Sequence, residues 1–448
     1  MQTMKKLISI LLLMSTTLMA HAEYTIVDTI YYSNGIYPGT ERVVKVYVPG
    51  KYTGETPACL YLGLDGVQCR APEVIDSLIA VGKMPVTIGV FVEAGVVKNK
   101  RGEVMRFNRS NEFDMTDAHF AQFIEEELLP FVEGITLPDG RRVRLSKDGD
   151  DRMIFGLSSG GIASFNVAWQ RPDLFKRVFC SIGTFVSMRG GNDLQALVRK
   201  HEPLPIRLFL HDGENDVWNP IFGHWYEANK LMASALDFAG YDVRYDWNDG
   251  GHDGRRTNQI YASVMEWLWH DWPMPINRGM SKNGLLTDLQ VSDYDCEWTC
   301  DPIDSDDIPL VYDTLRAVYP DGTLGVIPHK GTNCLWQYYI DEEGSRLYGQ
   351  PFYWLHSYDN SQLKIGPMAF DGDGYLYVVT NAGVQILDHN GRVRAILSQP
   401  DIDPEYCLSM TIEDGRLNIY TVESTVYWRH LNIKAPVAGV RPKGQGAG

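Results

Sequence analysis

The 448-residue chain has too few basic residues to balance its acidic ones, with 41 lysines and arginines against 57 aspartates and glutamates. The formal net charge of −16 at neutral pH disfavours DNA, RNA or an anionic membrane surface as a partner, because each of these repels an acidic protein. It equally disfavours a strongly acidic polymer as a substrate. We therefore expect no nucleic-acid partner.

The sequence also lacks an apolar run long enough to predict a membrane span. Its apolar N-terminal segment, residues 7–20, is shorter than the ~20 residues that a spanning helix needs. Two lysines precede this segment and an Ala-His-Ala site follows it at 20–22, which is the pattern of a secretory signal peptide. No cysteine follows that site, so no lipid anchor is indicated. We expect residues 1–22 to be cleaved and the mature protein to be periplasmic or secreted.

Cysteine is scarce, and the seven present form no Cys-x-x-Cys pair of the kind that binds zinc. Because the number is odd, at least one thiol must be free or pair with another chain. Cys59 and Cys180 lie in apolar, strand-like segments and are expected to be buried thiols. The four later cysteines could form one or two disulfides or, as a less favoured alternative, a zinc site. They are Cys296, Cys300, Cys334 and Cys407. No cofactor is expected.

From residue 24 to about 272, apolar strand-like segments alternate with amphipathic helical ones. This alternation predicts one α/β domain over residues 23–275, with a mostly parallel sheet covered on both faces. In such sheets the active site lies beyond the carboxyl ends of the strands. The predicted strands are 43–48, 58–64, 86–92, 153–155, 178–182, 207–210 and 243–247, and the predicted helices are 118–132, 162–170, 226–238 and 259–267.

The pattern changes in the last third of the chain. Asp-Gly turns beginning at Asp321, Asp371 and Asp414 each precede an alternating segment, which is a strong hairpin signal. Their spacings of 50 and 43 residues suit propeller-like blades, with room for about three. The predicted boundaries are 276–309 for a linker, 310–433 for a smaller all-β domain and 434–448 for a disordered tail.

A Gly-Leu-Ser-Ser-Gly pentapeptide at 156–160 follows a predicted strand and precedes a predicted helix. This context is typical of a nucleophile elbow, with Ser158 as the nucleophile. A residue at so sharp a turn takes a strained backbone conformation, and glycine on either side lets strand and helix approach. On its own, the pattern fits a structural turn equally well.

A serine nucleophile needs a base, and an acid that orients the base. His252 is the favoured base because it lies in a glycine-bounded loop after a strand and before the final helix. Asp216 is the favoured acid, because it lies far enough into its loop to reach the base. The less favoured candidates are His211, His224 and His270 for the base, and Asp212 and Glu214 for the acid.

An oxyanion hole needs two backbone N–H groups. Ser159, directly after the nucleophile, is expected to supply one. Val67, in the loop after an early central strand, is expected to supply the other, with Gly66 permitting the turn. The Asp65-Gly66 pair fits an ordinary tight turn equally well.

Taken together, these motifs make residues 40–272 resemble a bacterial esterase family that includes enterochelin esterases, feruloyl and acetyl-xylan esterases, esterase D and mycolyltransferases. The matching segments are 64–66, 107–110, 112–114, 156–161, 212–216 and 250–252. The resemblance implies an α/β-hydrolase fold and ester hydrolysis by a triad of Ser158, Asp216 and His252. It supports an oxyanion hole near Val67 and Ser159.

The same resemblance places Arg109 and Glu112 beside the cleft, where they could contact substrate or form structural ion pairs. Trp218 and Trp225 flank the acid loop, and could line an acyl or sugar pocket or belong to the core.

The C-terminal segment resembles part of the gluconolactonase-like propeller family around residues 366–378. Where that family has a metal-binding aspartate, this chain has Met368, a poor ligand for a hard cation such as calcium. A structural or carbohydrate-contacting role is therefore expected. Stacking faces for a sugar could come from Trp336, Tyr338, Tyr339, Tyr353 and Trp354.

The sequence favours an exported serine esterase that acts through an acyl-enzyme. Its expected partner is a small-molecule or oligosaccharide ester, with an acetyl or hydroxycinnamoyl group on a polysaccharide, or a catecholate siderophore. Two alternatives stay open: a catalytically inactive glycan-binding protein, and a metal-dependent sugar lactonase in the C-terminal domain. The oligomeric state is not determined by the sequence.

Overall fold

The computed structural model describes residues 24–201, 203–279, 298–309, 317–357 and 362–436. The predicted signal peptide, most of the predicted linker and most of the predicted tail lie outside the described residues.

The first half of the chain is built around one ten-stranded sheet. Its strands are β1 (Thr25–Ser33), β2 (Thr40–Val48), β3 (Cys59–Leu64), β4 (Thr87–Val92), β5 (Val96–Lys98), β6 (Val104–Phe107), β7 (Arg152–Leu157), β8 (Arg177–Ser181), β9 (Arg207–Gly213) and β12 (Asp242–Asn248), and a separate hairpin pairs β10 (Trp218–Asn219) with β11 (Gly223–His224). The order is β12-β9-β8-β7-β3-β4-β2-β5-β6, with β1 also paired to β2. The strands from β12 to β4 are parallel, and the other four form an antiparallel edge.

Helices cover both faces of this sheet. They are α1 (Ala71–Ala80), α2 (Arg109–Phe113), α3 (His119–Phe123), α4 (Leu129–Glu133), α5 (Ser159–Gln170), α6 (Leu194–Lys200), α7 (Trp225–Ala239) and α8 (Arg255–Trp269). One apolar cluster includes residues of α1 and α8, and a larger one includes residues of α5 and α7. Because both faces are covered, β3 and β4 are buried at every residue, and their sequences are apolar throughout rather than alternating.

The predicted α/β architecture is confirmed, and each predicted strand coincides with an observed one to within a few residues. The predicted helix at 118–132 is instead α3 and α4 joined by a π-helical turn, Ile124–Leu128. The sequence pattern does not predict the antiparallel edge formed by β1, β5 and β6. These strands leave most of their side chains partly or fully exposed, so they carry no buried apolar run.

The later part of the described chain forms three four-stranded antiparallel sheets. Their strands are β13 (Thr299–Pro302), β14 (Ala317–Val318), β15 (Leu324–Pro328), β16 (Cys334–Ile340), β17 (Arg346–Trp354), β18 (Ile365–Phe370), β19 (Leu376–Thr380), β20 (Gly383–Leu387), β21 (Val393–Leu397), β22 (Cys407–Glu413), β23 (Arg416–Thr421) and β24 (Thr425–His430). The sheets comprise β14 to β17, β18 to β21, and β22 to β24 with β13. Each predicted Asp-Gly turn joins two consecutive antiparallel strands: β14 to β15, β18 to β19, and β22 to β23. β13 completes the last sheet by pairing with β24. The smaller all-β part of the predicted fold is therefore confirmed.

The two parts of the chain meet through aromatic side chains. Trp354 of β17 packs against Trp169 of α5, with ring centroids 6.0 Å apart. Lys200 Nζ, at the end of α6, donates to the backbone carbonyl of Phe352 at 3.0 Å and lies over the ring of that residue. The C-terminal ends of α5 and α6 thus contact the first sheet of the all-β part.

The expected disulfides are not found among the described cysteines. Cys300, Cys334 and Cys407 are free thiols, and Cys296 lies outside the described residues. Cys334 and Cys407 are buried in separate sheets, and burial raises the pKa of each thiol to about 12. Cys59 and Cys180 are buried thiols, as predicted. Cys334 and Cys407 therefore serve as small apolar side chains in the sheets rather than as cross-links.

Candidate active site

The nucleophile elbow is formed by the tight junction of β7 and α5. β7 ends at Leu157, α5 begins at Ser159, and Ser158 between them takes φ 58° and ψ −120°, a strained conformation for a residue with a side chain. At Gly156, an added Cβ would overlap the carbonyl group of Gly160 and lie 2.8 Å from its Cα. Strand and helix therefore approach as the sequence predicts, and only glycine fits at position 156.

Three side chains from separate loops meet above this elbow. The distance from His252 Nε2 to Ser158 Oγ is 2.8 Å, and that from His252 Nδ1 to Asp216 Oδ1 is 2.6 Å. Ser158 follows β7, Asp216 follows β9, and His252 follows β12. Because these strands are parallel, their carboxyl ends share one edge of the sheet, and this edge brings the three side chains together.

Asp216 is held as an ionised acceptor. Its side chain is fully buried, and its Oδ1 accepts hydrogen bonds from His252 Nδ1 and from the backbone N–H of Val217. Burial alone would raise the pKa of Asp216, but hydrogen bonds led by that from His252 outweigh burial, so the pKa lies below its ordinary value. A carboxylate so placed can fix the imidazole tautomer and stabilise an imidazolium.

Among the described residues, none of the less favoured candidates is hydrogen-bonded to Ser158 or His252. Glu214 is exposed, and His270 is exposed at the end of α8. His211 is buried and faces Asp246 rather than the serine, and burial lowers its pKa. His224, in β11, forms no hydrogen bond to Ser158 within the described chain. Asp212 is fully buried beside Asp216.

The loop after β3 packs directly against the elbow. A Cβ added at Gly160 would lie 3.1 Å from Asp65 Oδ2 and 3.5 Å from Leu64 Cβ. Asp65 and Gly66 both adopt positive φ, which turns the chain sharply before Val67. The loop that leads to Val67 therefore contacts the start of α5 through Leu64 and Asp65.

Arg109 and Glu112 form ion pairs, but with different partners and in different places. Arg109 makes a bidentate pair with Asp65, both distances being 2.7 Å, and its Nη2 reaches the carbonyl of Leu157 at 3.3 Å. Glu112 pairs with Arg42, and both side chains are fully buried. Its carboxylate also accepts from the Gly95 N–H and from an amide side chain. The predicted substrate contact therefore does not fit Glu112, which has no exposed surface, whereas Arg109 borders the site.

Trp218 and Trp225, the two predicted pocket residues, differ in exposure. Trp225 is buried and stands edge-on to His252, with ring centroids 5.8 Å apart, so it forms a wall behind the imidazole. Trp218 is 64% exposed two residues after Asp216. Phe107, two residues before Arg109, is 75% exposed, and Val67 is 42% exposed. Trp218 and Val67 are thus exposed apolar side chains on loops that build the site, whereas Phe107 is exposed at the end of β6.

Residues 35–262 match the family model described as "Putative esterase", which is just over half of the chain. The chain belongs to this esterase family. It is a carboxylic ester hydrolase, and its α/β-hydrolase domain is the part that the family model covers. No curated protein matches the chain.

Solved structures similar to this esterase include a ferulic acid esterase, at 19% identity and a TM-score of 0.41 over 55% of this chain and 99% of that chain. The enterobactin esterase of Shigella flexneri has 22% identity and a TM-score of 0.42, over 55% of this chain and 59% of that chain. An S-formylglutathione hydrolase of Staphylococcus aureus has 16% identity and a TM-score of 0.40, over 55% and 97% respectively. Each likeness is confined to about half of this esterase.

Thr184 of the esterase lies beside the nucleophile but was not predicted as a site residue. Its Oγ1 lies 3.4 Å from Ser158 Oγ and 3.4 Å from Trp225 Nε1, and its N–H donates to the carbonyl of Ser158 at 3.1 Å. Thr184 is fully buried in the loop after β8. Its position beside the nucleophile comes from the packing of neighbouring strands, and no motif in the sequence marks it.

A cleft in the described part of the esterase lies away from the serine. It has a volume of about 800 Å³ and runs between the ends of α5 and α6 and the first sheet of the all-β part, where Trp336 and Trp354 line it. The ring of Trp336 stacks on that of His329 at 4.9 Å. Tyr353 is buried and offers no stacking face, whereas Tyr339 is 46% exposed.

Two further kinds of feature are absent from the described residues. No group of three or more histidine, cysteine, aspartate or glutamate side chains is placed to hold a metal ion. No helix among these residues has the length and apolarity to cross a membrane.

Proposed function

We propose that this esterase is an exported serine hydrolase that uses Ser158 as nucleophile, His252 as base and Asp216 as orienting acid. The observation that carries the proposal is the continuous hydrogen-bonded relay, with Ser158 Oγ 2.8 Å from His252 Nε2 and His252 Nδ1 2.6 Å from Asp216 Oδ1. Both distances lie within the range for direct proton transfer and orientation.

In the proposed mechanism, Ser158 Oγ attacks the ester carbonyl while its proton passes to His252 Nε2. Negative charge then develops on the carbonyl oxygen, where the N–H groups of Ser159 and Val67 are proposed to donate. Each such donor is typically worth about 10²–10³ in rate. Collapse of the tetrahedral intermediate expels the alcohol, which takes the proton from His252, and leaves an acyl-serine. Water then releases the acid by the same steps, with His252 again as base.

The exposed apolar rim favours an ester with an aromatic acyl group over an acetyl ester. Trp218 and Val67 are substantially exposed on the loop of the proposed acid and on the loop of the proposed oxyanion donor, and Phe107 is exposed at the end of β6, two residues before Arg109. Aromatic side chains stack favourably on aromatic acyl groups. An acetyl group is too small to reach such a rim. We therefore propose a hydroxycinnamoyl or similar aromatic ester, on a polysaccharide or another alcohol.

The test is a set of single substitutions assayed with p-nitrophenyl acetate and methyl ferulate. Ser158→Ala, His252→Ala and Asp216→Asn should each lower kcat by about 10⁴-fold or more, because triad members act as a unit. The exposed neighbours Glu214→Gln and His270→Gln serve as controls and should retain activity. A fluorophosphonate probe should label wild type but not Ser158→Ala. Ester cleavage that survives Ser158→Ala would overturn the proposal.

The acyl preference has its own test. Trp218→Ala should raise KM for methyl ferulate about tenfold, while the kinetics with p-nitrophenyl acetate stay near wild type. Equal effects on the two esters would contradict an aromatic acyl site. Trp218 is exposed, so its removal should leave the fold intact.

Export is proposed from the sequence alone. Cleavage before Glu23 is supported by Lys5 and Lys6, by the apolar segment 7–20 that follows them, and by the Ala-His-Ala site at 20–22. Expression in a bacterium followed by fractionation and N-terminal sequencing should find a processed protein that begins at Glu23. Recovery of the full-length chain in the cytoplasm would contradict export.

A second role, in glycan binding, is favoured by the cleft at the junction of the two parts. Its volume of about 800 Å³ is within the range of ligand sites, and Trp336 offers an aromatic face. We propose that this cleft holds the sugar part of a polymeric substrate away from the serine. Binding of xylo-oligosaccharides that is lost in Trp336→Ala, with ester hydrolysis of methyl ferulate unchanged, would support it.

A further inference from the structure

Asp212 is a carboxyl group beside the triad that the proposed mechanism does not use. It lies near the end of β9 and is completely buried. Its Oδ1 accepts the N–H of Gly213 at 2.7 Å, and its Oδ2 accepts from Asn229 Nδ2 at 2.7 Å. Asn229 is itself buried on α7, and its Nδ2 also lies 2.7 Å from the carbonyl of Gly183. The Asp212 side chain is therefore held in one orientation.

A tight turn, in which the Asp216 N–H donates to the carbonyl of Gly213 at 3.0 Å, brings the buried carboxyl group of Asp216 beside that of Asp212. Asp216 Oδ1 is already occupied by His252 and by the N–H of Val217. Asp216 Oδ2 is buried and accepts no hydrogen bond from an N–H or hydroxyl group of the described residues. An unsatisfied buried carboxylate oxygen is costly. The Asp212 carboxyl can satisfy it, but only by carrying a proton.

The charges around Asp212 do not favour ionisation of both carboxyl groups. Two carboxylates in contact and shielded from water repel each other strongly, so the pair retains one proton over a wide pH range. The buried thiol of Cys180 also faces Asp212. No lysine, arginine or histidine in the described part of the chain forms an ion pair with Asp212. The preceding His211 faces Asp246, so no positive charge offsets a second carboxylate.

The proton belongs on Asp212 rather than on Asp216. Burial and then the contact with Asp216 raise the pKa of Asp212. The hydrogen bond from His252 helps to hold the pKa of Asp216 below its ordinary value despite burial. The charge therefore lies on the carboxylate that faces the imidazole.

We propose that Asp212 is a positioning residue of the esterase: as a neutral carboxylic acid it donates a hydrogen bond to Asp216 Oδ2 and so holds Asp216 Oδ1 toward His252. The inference rests on the proposed triad. In this arrangement Asn229 orients the carboxyl group of Asp212, and Asp212 in turn orients that of Asp216.

The first test asks whether Asp212 is neutral. Asp212→Asn replaces one neutral group by another of the same shape, so the acidic limb of the pH profile of kcat/KM for p-nitrophenyl acetate should stay within about 0.3 pH unit of wild type. If Asp212 were ionised, loss of its charge would move that limb down by about one unit or more, and this result would overturn the proposal.

The second test is spectroscopic and needs no activity. In the infrared difference spectrum of wild type against Asp212→Asn near pH 7, a carbonyl stretching band of a protonated carboxylic acid should disappear. Glu214→Gln, in the same loop but exposed, should remove only carboxylate bands. Absence of the acid band from wild type would refute a protonated Asp212 whether or not Ser158 is the nucleophile.

The third test asks whether Asp212 positions the acid. Asp212→Ala removes the donor and should lower kcat about 10- to 100-fold with KM within twofold, the range expected for loss of a hydrogen bond to a charged group. Asp212→Asn, which keeps an N–H donor, should restore most of that loss. Full activity of Asp212→Ala would show that the donor is not needed. If Asp212→Ala does not fold, the pH profile and the infrared band of Asp212→Asn still decide the proposal.

Discussion

The sharpest prediction concerns Gly156, which sets the distance between β7 and the start of α5. In Gly156→Ala the new methyl group would lie 2.8 Å from Gly160 Cα and overlap the Gly160 carbonyl. Non-bonded carbon atoms normally stay at least ~3.5 Å apart, so strand and helix must separate by roughly 0.7 Å or more. Both obstructing groups belong to the backbone, and a change of rotamer cannot relieve the overlap.

The expected cost of Gly156→Ala falls on both activity and stability. A shift near 1 Å in a catalytic group typically costs about 10²-fold in rate, because Ser158 Oγ and the N–H of Ser159 move together with the helix. Overpacking of this kind also costs about 1–3 kcal/mol in unfolding free energy. The measurements are kcat/KM with p-nitrophenyl acetate and urea denaturation followed by circular dichroism.

Two glycines of the same site provide graded controls. At Gly160 an added Cβ would lie 3.1 Å from a side-chain oxygen of Asp65, which can move by a few tenths of an ångström, so Gly160→Ala should cost less than tenfold. At Gly254 the nearest atoms are 3.6 Å away, so Gly254→Ala should be nearly neutral. Wild-type kinetics in Gly156→Ala, or equal losses in all three variants, would refute the reasoning that close backbone packing sets the elbow geometry.

Three further predictions concern the scaffold. Glu112→Gln leaves the buried Arg42 guanidinium without its counter-ion and should lower the unfolding free energy by about 3–5 kcal/mol, measured by urea titration. Burial raises the pKa of Asp371 from 3.8 to about 6. The contribution of Asp371 to the unfolding free energy is therefore fully present below pH 3.8 and is lost as the pH rises through about 6, a change of up to about 3 kcal/mol. Asp371→Asn should abolish this pH dependence of stability, and an unchanged pH dependence would contradict the prediction. Trp354→Ala removes a contact with Trp169 that is worth about 2 kcal/mol and that joins the two parts of the chain. Calorimetry of this variant should therefore show two separated unfolding transitions. A single unchanged transition would argue against coupling of the two parts.

Much of the hydrolase part follows from local sequence. β3, most of β4 and the middle of β7 are buried runs of apolar residues. The spacing of the apolar residues and the length of each run predict strands there. The order of Ser158, Asp216 and His252 along the chain then places each on a loop after a parallel strand. Such loops must share one edge of the sheet, so the proximity of these side chains could be predicted before any coordinates were known.

Other features depend on contacts that no local pattern encodes. Thr184 and Asn229 look like ordinary polar residues in the sequence, and their positions near the triad arise from the packing of β8, β9 and α7. Gly213 is another example: an added Cβ would lie 2.8 Å from the Cα of Gly250, so these two glycines let the acid loop and the base loop meet. The expected disulfides were wrong because spacing does not reveal that Cys334 and Cys407 lie in separate sheets.

The surroundings of the nucleophile show how an acidic protein can stabilise a negative intermediate. Several carboxyl groups lie within this part of the molecule, and each full negative charge near Ser158 would oppose charge on the ester oxygen. Asp65 is neutralised by Arg109 and Glu112 by Arg42, and the proposal above places a proton on Asp212. Asp216 keeps its negative charge and faces the imidazole, where positive charge forms during the reaction. The pairing of carboxyl groups thus limits the negative charge near the ester oxygen, although the net charge of the whole chain is strongly negative.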